Sequence, residues 1–208
     1  MFSIKNIKID TSMVSKLNPV QLQFTENSTR RTWDLIETTD AVAIIIFNTS
    51  SNKLVALKKF EPAVYLTSIS KEDRQSTIID MLKYPENLGI VIELCGGNLR
   101  GNDEGHILEV AQISIYESTG YNVPRESIEF VSSFKSDVGP KCGNIYVYYC
   151  EVDEKMKVAC SPKANEIVVE MAISEIKEYL GKSLPELRSS PIFLYAMLWF
   201  IQEKQTHE

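Results

Sequence analysis

Histidine is scarce in this chain of 208 residues, two in all, and the four cysteines (Cys95, Cys142, Cys150 and Cys160) form no CxxC pair. Structural zinc needs paired thiols or a cysteine–histidine array at fixed spacing, so none is expected, and free thiols in a reducing cytosol are. Basic excess is missing as well: 22 Lys and Arg stand against 28 Asp and Glu, a net charge of −6. Nucleic-acid binding without sequence preference displaces phosphate counterions with cations, and no basic stripe supplies them, so no nucleic-acid partner is expected. No apolar run approaches the roughly 20 residues that span a bilayer. The first ten residues, Met1 to Asp10, lack a long apolar stretch and a small-residue cleavage signature, so neither a signal peptide nor a membrane partner is expected, and the location expected is cytoplasmic. Internal repeats, low-complexity segments and linkers are absent too.

What is present has the proportions of a globular protein, with 44% apolar and 24% charged residues. Residues 20–37 read as two short strands around the polar turn Glu26-Asn27-Ser28-Thr29. Ala41–Phe47 is apolar throughout and largely β-branched, the pattern of a strand buried on both faces. A turn cluster at 48–52 and a return strand at 53–58 make a hairpin. Residues 66–88 are polar and irregular, with a short helix expected near 74–82. Strands follow at 89–94, 128–135, 143–152 and 166–173, and helices at 106–118, 174–180 and 190–204, with Ser174 as the expected cap of the second. Strands alternating with a few helices indicate a layered α/β or α+β fold.

The most informative stretch runs from Glu93 to Tyr121. A strand enters Gly96-Gly97, a polar loop follows, then an amphipathic helix, then the stop Thr119-Gly120-Tyr121. With Thr32-Trp33-Asp34, the run Lys59 to Tyr65, Ser136-Asp137-Val138-Gly139, Tyr146–Glu151 and the late Trp199-Phe200-Ile201, this order and spacing resembles the Nudix hydrolases, and within them the UDP-sugar and ADP-ribose pyrophosphatases. The resemblance covers nearly the whole chain. It implies an α/β/α sandwich with a mixed sheet, an N-terminal strand appendage at 1–37 that serves dimerisation, and a Nudix domain at 38–208. It also implies Mg²⁺ as cofactor, a nucleoside diphosphate sugar as ligand, and a homodimer.

The resembled box ends in Arg-Glu, a hydrophobic residue, a free position, Glu-Glu, a free position and Gly. Anchored on Gly120, this chain reads Ile113, Ser114, Ile115, Tyr116, Glu117, Ser118, Thr119. At about 100° per residue, Ser114, Glu117 and Ser118 share one arc and Leu108, Ala111 and Ile115 its neighbour. In the resembled enzymes the first arc faces the metal and the second the core. The core arc is intact, so the helix is expected to fold and dock. The metal arc has lost two carboxylates, and Mg²⁺ requires hard anionic oxygens, so weak Mg²⁺ binding is expected.

The metal positions implied are thus Gly96, through its carbonyl, with Ser114, Glu117 and Ser118. The catalytic positions are Glu117 and Glu166, the latter standing where relatives place an acidic residue linked to the general base, while Val169 fills an expected acidic position. The substrate-binding positions are Arg31, Trp33, Lys59, Glu61 and Gly97. Relatives carry Arg where this chain has Glu61, a change that repels a pyrophosphate. Each assignment has a plainer counterpart: Glu117 as a solvated carboxylate, Gly96 and Gly97 as turn formers, Trp33 as an interface residue, Lys59 and Arg31 as surface charge. Three functions stay open: a catalytically weakened or silent protein that binds sugar nucleotides; an active Mg²⁺-dependent diphosphatase whose metal site is rebuilt from Glu93, Asp103, Glu104, Glu109 or Glu117; and a structural partner of an intact paralogue.

Overall fold

The computed structural model describes residues 4–9, 18–99, 106–158, 163, 165–182 and 188–204; Cys160, Asp103 and Glu104 lie outside the described residues. Strands β1 (Asn18–Glu26) and β2 (Thr29–Glu37) pair antiparallel over their full length. Asn27 and Ser28 both take positive φ, at 48° and 67°, which matches the right-handed twist of the flanking strands. A two-residue strand, β8 (Lys141–Cys142), adds in parallel to β2 and ties this small sheet to the rest of the chain.

The apolar run becomes β3 (Ala41–Asn48), in the middle of the main sheet. Val42, Ile44 and Ile46 enter one core and Ile45 the other, as a strand covered on both faces must. β4 (Lys53–Phe60) pairs antiparallel with β3 only over residues 46–48 and then diverges. β5 (Ile90–Glu93) and β6 (Cys95–Asn98) fill the gap, β5 bonding to β4 and β6 to β3. Outside this wedge, β9 (Asn144–Val152) runs parallel to β3, and β7 (Glu129–Lys135) runs antiparallel to β9. β10 (Glu166–Met171) pairs antiparallel with the outer edge of β4. The main sheet is therefore mixed.

Helices cover both faces. α2 (Ile107–Thr119) buries Ala111 and Ile115 completely in the core shared with Val42, Ile44, Leu57 and Cys95. Full burial of an Ile side chain contributes about 1.5–3 kcal/mol. Gly120 ends the helix at φ 81° and returns its amide to the Tyr116 carbonyl at 2.9 Å, a left-handed stop that favours glycine. α3 (Ile173–Leu180) and α4 (Pro191–Lys204) pack Ile176, Phe193, Ala196, Met197 and Phe200 on the opposite face. The molecule is an α/β/α sandwich with a mixed sheet.

Three local expectations are corrected. No helix forms over 74–82; residues 73–75 make a single 3₁₀ turn, and Asp73 is held by Lys83 and by the Tyr84 hydroxyl at 2.6 Å. Tertiary hydrogen bonds to side chains replace helical ones here. A helix not expected, α1 (Pro62–Thr67), starts with Pro62 in its first turn, where a missing N–H costs nothing. At α3 the cap is Ala172 rather than Ser174, and the Glu175 carboxylate accepts the Ala172 amide at 2.7 Å.

Candidate active site

The two glycines of β6 set the geometry. They pair with β3 at Ala43↔Gly96 and Val42↔Gly97. A methyl on Gly96 would collide with the Val42 carbonyl oxygen, and one on Gly97 would lie 2.5 Å from Ser114 Oγ. Glycine at both positions lets β6 enter the sheet and lets α2 close on it.

A cleft of about 520 Å³ opens along this wedge, lined by Lys59, Glu93, Cys95, Gly96, Gly97, Lys135, Glu166 and Ser190 among others. Lys59 and Glu166 are cross-strand partners on β4 and β10, yet the Lys59 ammonium lies 3.8 Å from Glu61. Among the described residues, one buried Glu166 carboxylate oxygen finds no hydrogen-bond partner. The Lys135 ammonium donates to the Asn144 side-chain oxygen at 2.8 Å.

Glu93 is committed elsewhere. Its carboxylate accepts the Ser190 amide, and the Ser190 hydroxyl at 2.7 Å, ahead of α4. Ser190 Oγ in turn accepts the Phe193 amide at 3.2 Å, the pattern of a helix cap. Burial pushes the Glu93 carboxyl above its usual range, while the Ser190 contacts and Lys59 oppose that rise.

The α2 arc does not line the cleft. Ser114 is buried against Gly97, and its backbone carbonyl accepts the Cys95 thiol at 3.2 Å. Ser118 is fully buried, and among the described residues its hydroxyl closes no hydrogen bond of ordinary geometry. Burial pushes the neighbouring Cys95 thiol up to about 12, opposed by Ser118. Glu117 is exposed and lies 3.3 Å from the Lys163 ammonium.

These residues do not fit Mg²⁺. Two buried hydroxyls packed against protein and one ion-paired carboxylate do not make the set of anionic oxygens that a small, tightly hydrated dication needs. Among the described residues, no group of three or more His, Cys, Asp or Glu is placed to hold a metal. Of the carboxylates considered for rebuilding a site, Glu93 is bonded to Ser190, the cap of α4, and Glu109 pairs with His106 at 3.2 Å and Arg125 at 3.5 Å.

The structure thus brings Lys59, Gly96, Gly97 and Glu166 together at one cleft. On α2, Ser114 packs against Gly97, while Glu117 and Ser118 do not line that cleft. Glu61 does not line the cleft and is paired with Lys59. Arg31 and Trp33 lie apart on the hairpin, Arg31 bonded to Glu26 at 3.2 Å and Trp33 exposed. Sequence reasoning missed Ser190 and Lys163. The available signals were a Ser-Pro step before an apolar helix, and a lysine three residues ahead of Glu166.

No family model matches the chain. Comparison with curated proteins does find relatives of one class, the enzymes that cleave sugar nucleotides at a pyrophosphate. The uridine diphosphate glucose pyrophosphatase NUDT14 of Bos taurus is 32% identical over 152 residues, 68% of this chain and 67% of the relative. The protein of the same name from Mus musculus is 24% identical over 208 residues, 92% of this chain and 90% of the relative. With the wedge, the double glycine and the docked α2 in place, the chain belongs to the Nudix family.

Proposed function

We propose that this protein binds a nucleoside diphosphate sugar in the cleft at Gly96 and Gly97 and hydrolyses it slowly or not at all. The observation that carries this reading is the state of Ser114 and Ser118. Both hydroxyls are buried in protein contacts on the arc where the resemblance implies two metal-binding carboxylates. Without anionic ligands there is no strong Lewis acid to polarise a phosphoryl oxygen or activate water, and Glu166 alone has no activated water to deprotonate. The cleft keeps what binding needs: a lysine pair, a glycine floor that allows close approach, and an apolar wall at Val42, Leu57 and Ile145. The ligand class follows the names of the relatives, which are UDP-glucose pyrophosphatases.

The test is a phosphate-release screen over nucleoside diphosphate sugars with Mg²⁺ and Mn²⁺, with a phosphatase to free phosphate from the products, run beside calorimetric titration of UDP-glucose. Binding with little turnover is expected. Rapid, chelator-sensitive cleavage overturns the reading.

The same proposal includes a homodimer formed through the hairpin. Cross-strand pairing puts Val20, Leu22 and Phe24 of β1 on one face with Trp33 of β2, opposite Leu22, and all four are exposed. Such a contiguous apolar face is unusual on a monomer. A Leu22→Glu variant is expected to sediment as a monomer where the unaltered chain sediments as a dimer.

A further inference from the structure

Lys58 stands on β4 where the sheet gives it no counter-charge. A charged residue on a strand is stabilised by an opposite charge directly across, but the cross-strand partners of Lys58 are Ile92 on β5 and Ile167 on β10. Among the described residues no carboxylate pairs with it. Alternation along β4 puts Lys58 on the side of Leu54 and Ala56, the side covered by α3 and α4. Lys59, the next residue, lines the cleft.

A pocket of about 490 Å³ opens at Lys58, and Lys182 and Arg188 line it as well. Lys182 follows the end of α3, its ammonium 5.9 Å from the centre of the Tyr179 ring. A cation has an ordinary reason to stand at a helix C-terminus; Lys58, between two isoleucines, has none. The Asn87 carbonyl orients the Arg188 guanidinium, accepting from Nη1 at 2.6 Å. Tyr179 is fixed too, by a 2.7 Å hydrogen bond between its hydroxyl and that of Ser189 and by edge-on packing against Phe193. Ile90 and Ile92 form an apolar wall, and among the described residues no carboxylate lines the pocket. Three cations thus converge in a chain whose net charge is −6.

Like charges gathered in a concavity repel one another, and the field they create there attracts an anion. Ammonium and guanidinium groups carry only donors, and phosphate oxygens are the acceptors such groups bind best. We propose that Lys58, Lys182 and Arg188 form an anion site, separate from the cleft, that takes a phosphate group, free or carried by a small ester. The Tyr179 ring and the isoleucine wall meet the organic part of an ester. The pocket shares no lining residue with the cleft, so the site stands whatever the cleft binds.

Lys58 and Lys182 are exposed, so replacing them leaves the fold intact, which urea midpoints check. The experiment titrates the full chain calorimetrically with inorganic phosphate, glucose 1-phosphate and UMP. It compares the unaltered protein with Lys58→Gln, Lys182→Gln, the double variant and Lys58→Arg. The unaltered protein is expected to bind. Each Lys→Gln change should weaken binding about tenfold, the loss of one charged phosphate contact, the double variant should lose it almost entirely, and Lys58→Arg should retain most of it. With that pattern, tighter binding of an ester than of inorganic phosphate upholds the site as one for phosphate esters, and equal affinities uphold it as one for free phosphate. Binding of none of the three probes overturns the proposal, and so does equal affinity in the double variant and the unaltered protein.

Discussion

Ser114 and Gly97 are in direct opposition across the seam between α2 and β6, with no room between the hydroxyl and the glycine α-carbon for even a methyl group. The helix position comes from burial of Ala111 and Ile115, and the strand position from its bonds to β3. Neither element can retreat without opening a core.

Gly97→Ala is accordingly expected to destabilise the protein by about 1–3 kcal/mol, the usual cost of adding volume to a packed site. Ser114→Gly in that background should restore a large part of the loss, because it removes the opposing hydroxyl. Urea denaturation of the two single variants and the double variant measures the coupling. Simple additivity of the two changes would show that they do not share one contact.

Ser118→Ala should raise stability by about 1 kcal/mol. The hydroxyl is fully buried and, among the described residues, closes no hydrogen bond of ordinary geometry; the Cys95 thiol beside it is a weak partner, so most of its desolvation cost goes uncompensated, and removing the polar atom relieves it. Thr119, the next residue, provides the contrast, since its hydroxyl donates to the Ile115 carbonyl at 2.6 Å. Thr119→Val should therefore not stabilise. Denaturant midpoints for both variants check the pair.

The pH dependence at Glu93 has a definite sign. Its carboxyl is raised above the ordinary 4.5, first by burial, against the opposing Ser190 hydrogen bonds. The folded state therefore holds this proton more tightly than the unfolded chain does. The stability it contributes is complete below 4.5 and is lost as pH rises through the raised folded value. Glu93→Gln removes this titration and keeps an acceptor for Ser190. Relative to the unaltered protein, the Gln variant should be more stable at pH 8 than at pH 4, as read by urea midpoints across that range. A constant difference would mean that Glu93 does not titrate between the two states.

The fold was legible wherever one pattern dominated a segment. The apolar run at 41–47 pointed to a strand covered on both faces, and the core arc of α2, with Gly120 after it, to a docked helix that stops there. Segments held by distant side chains were not legible. Asp73 binds Lys83 and Tyr84 across a loop, and no local periodicity announces such a bond, so a helix was expected where none forms. At the candidate site, the resemblance pointed to Gly96, Gly97, Lys59 and Glu166, and the structure gathers these four along one cleft. Lys163 was missed, because its ion pair with Glu117 joins elements remote in the chain. Glu93 looked available for a metal until the structure showed it bound to Ser190.

The splaying of β3 from β4 has a consequence for how such a protein changes over generations. The inserted strand is held by main-chain bonding and by glycines, which have no side chain to contribute to a reaction. Chemistry must come from the helix and the turn on either side. Those neighbours can trade a carboxylate for a hydroxyl, or gain an ammonium, while the seam that positions them stays as it was. A lineage can therefore give up one occupation and take up another with its architecture undisturbed.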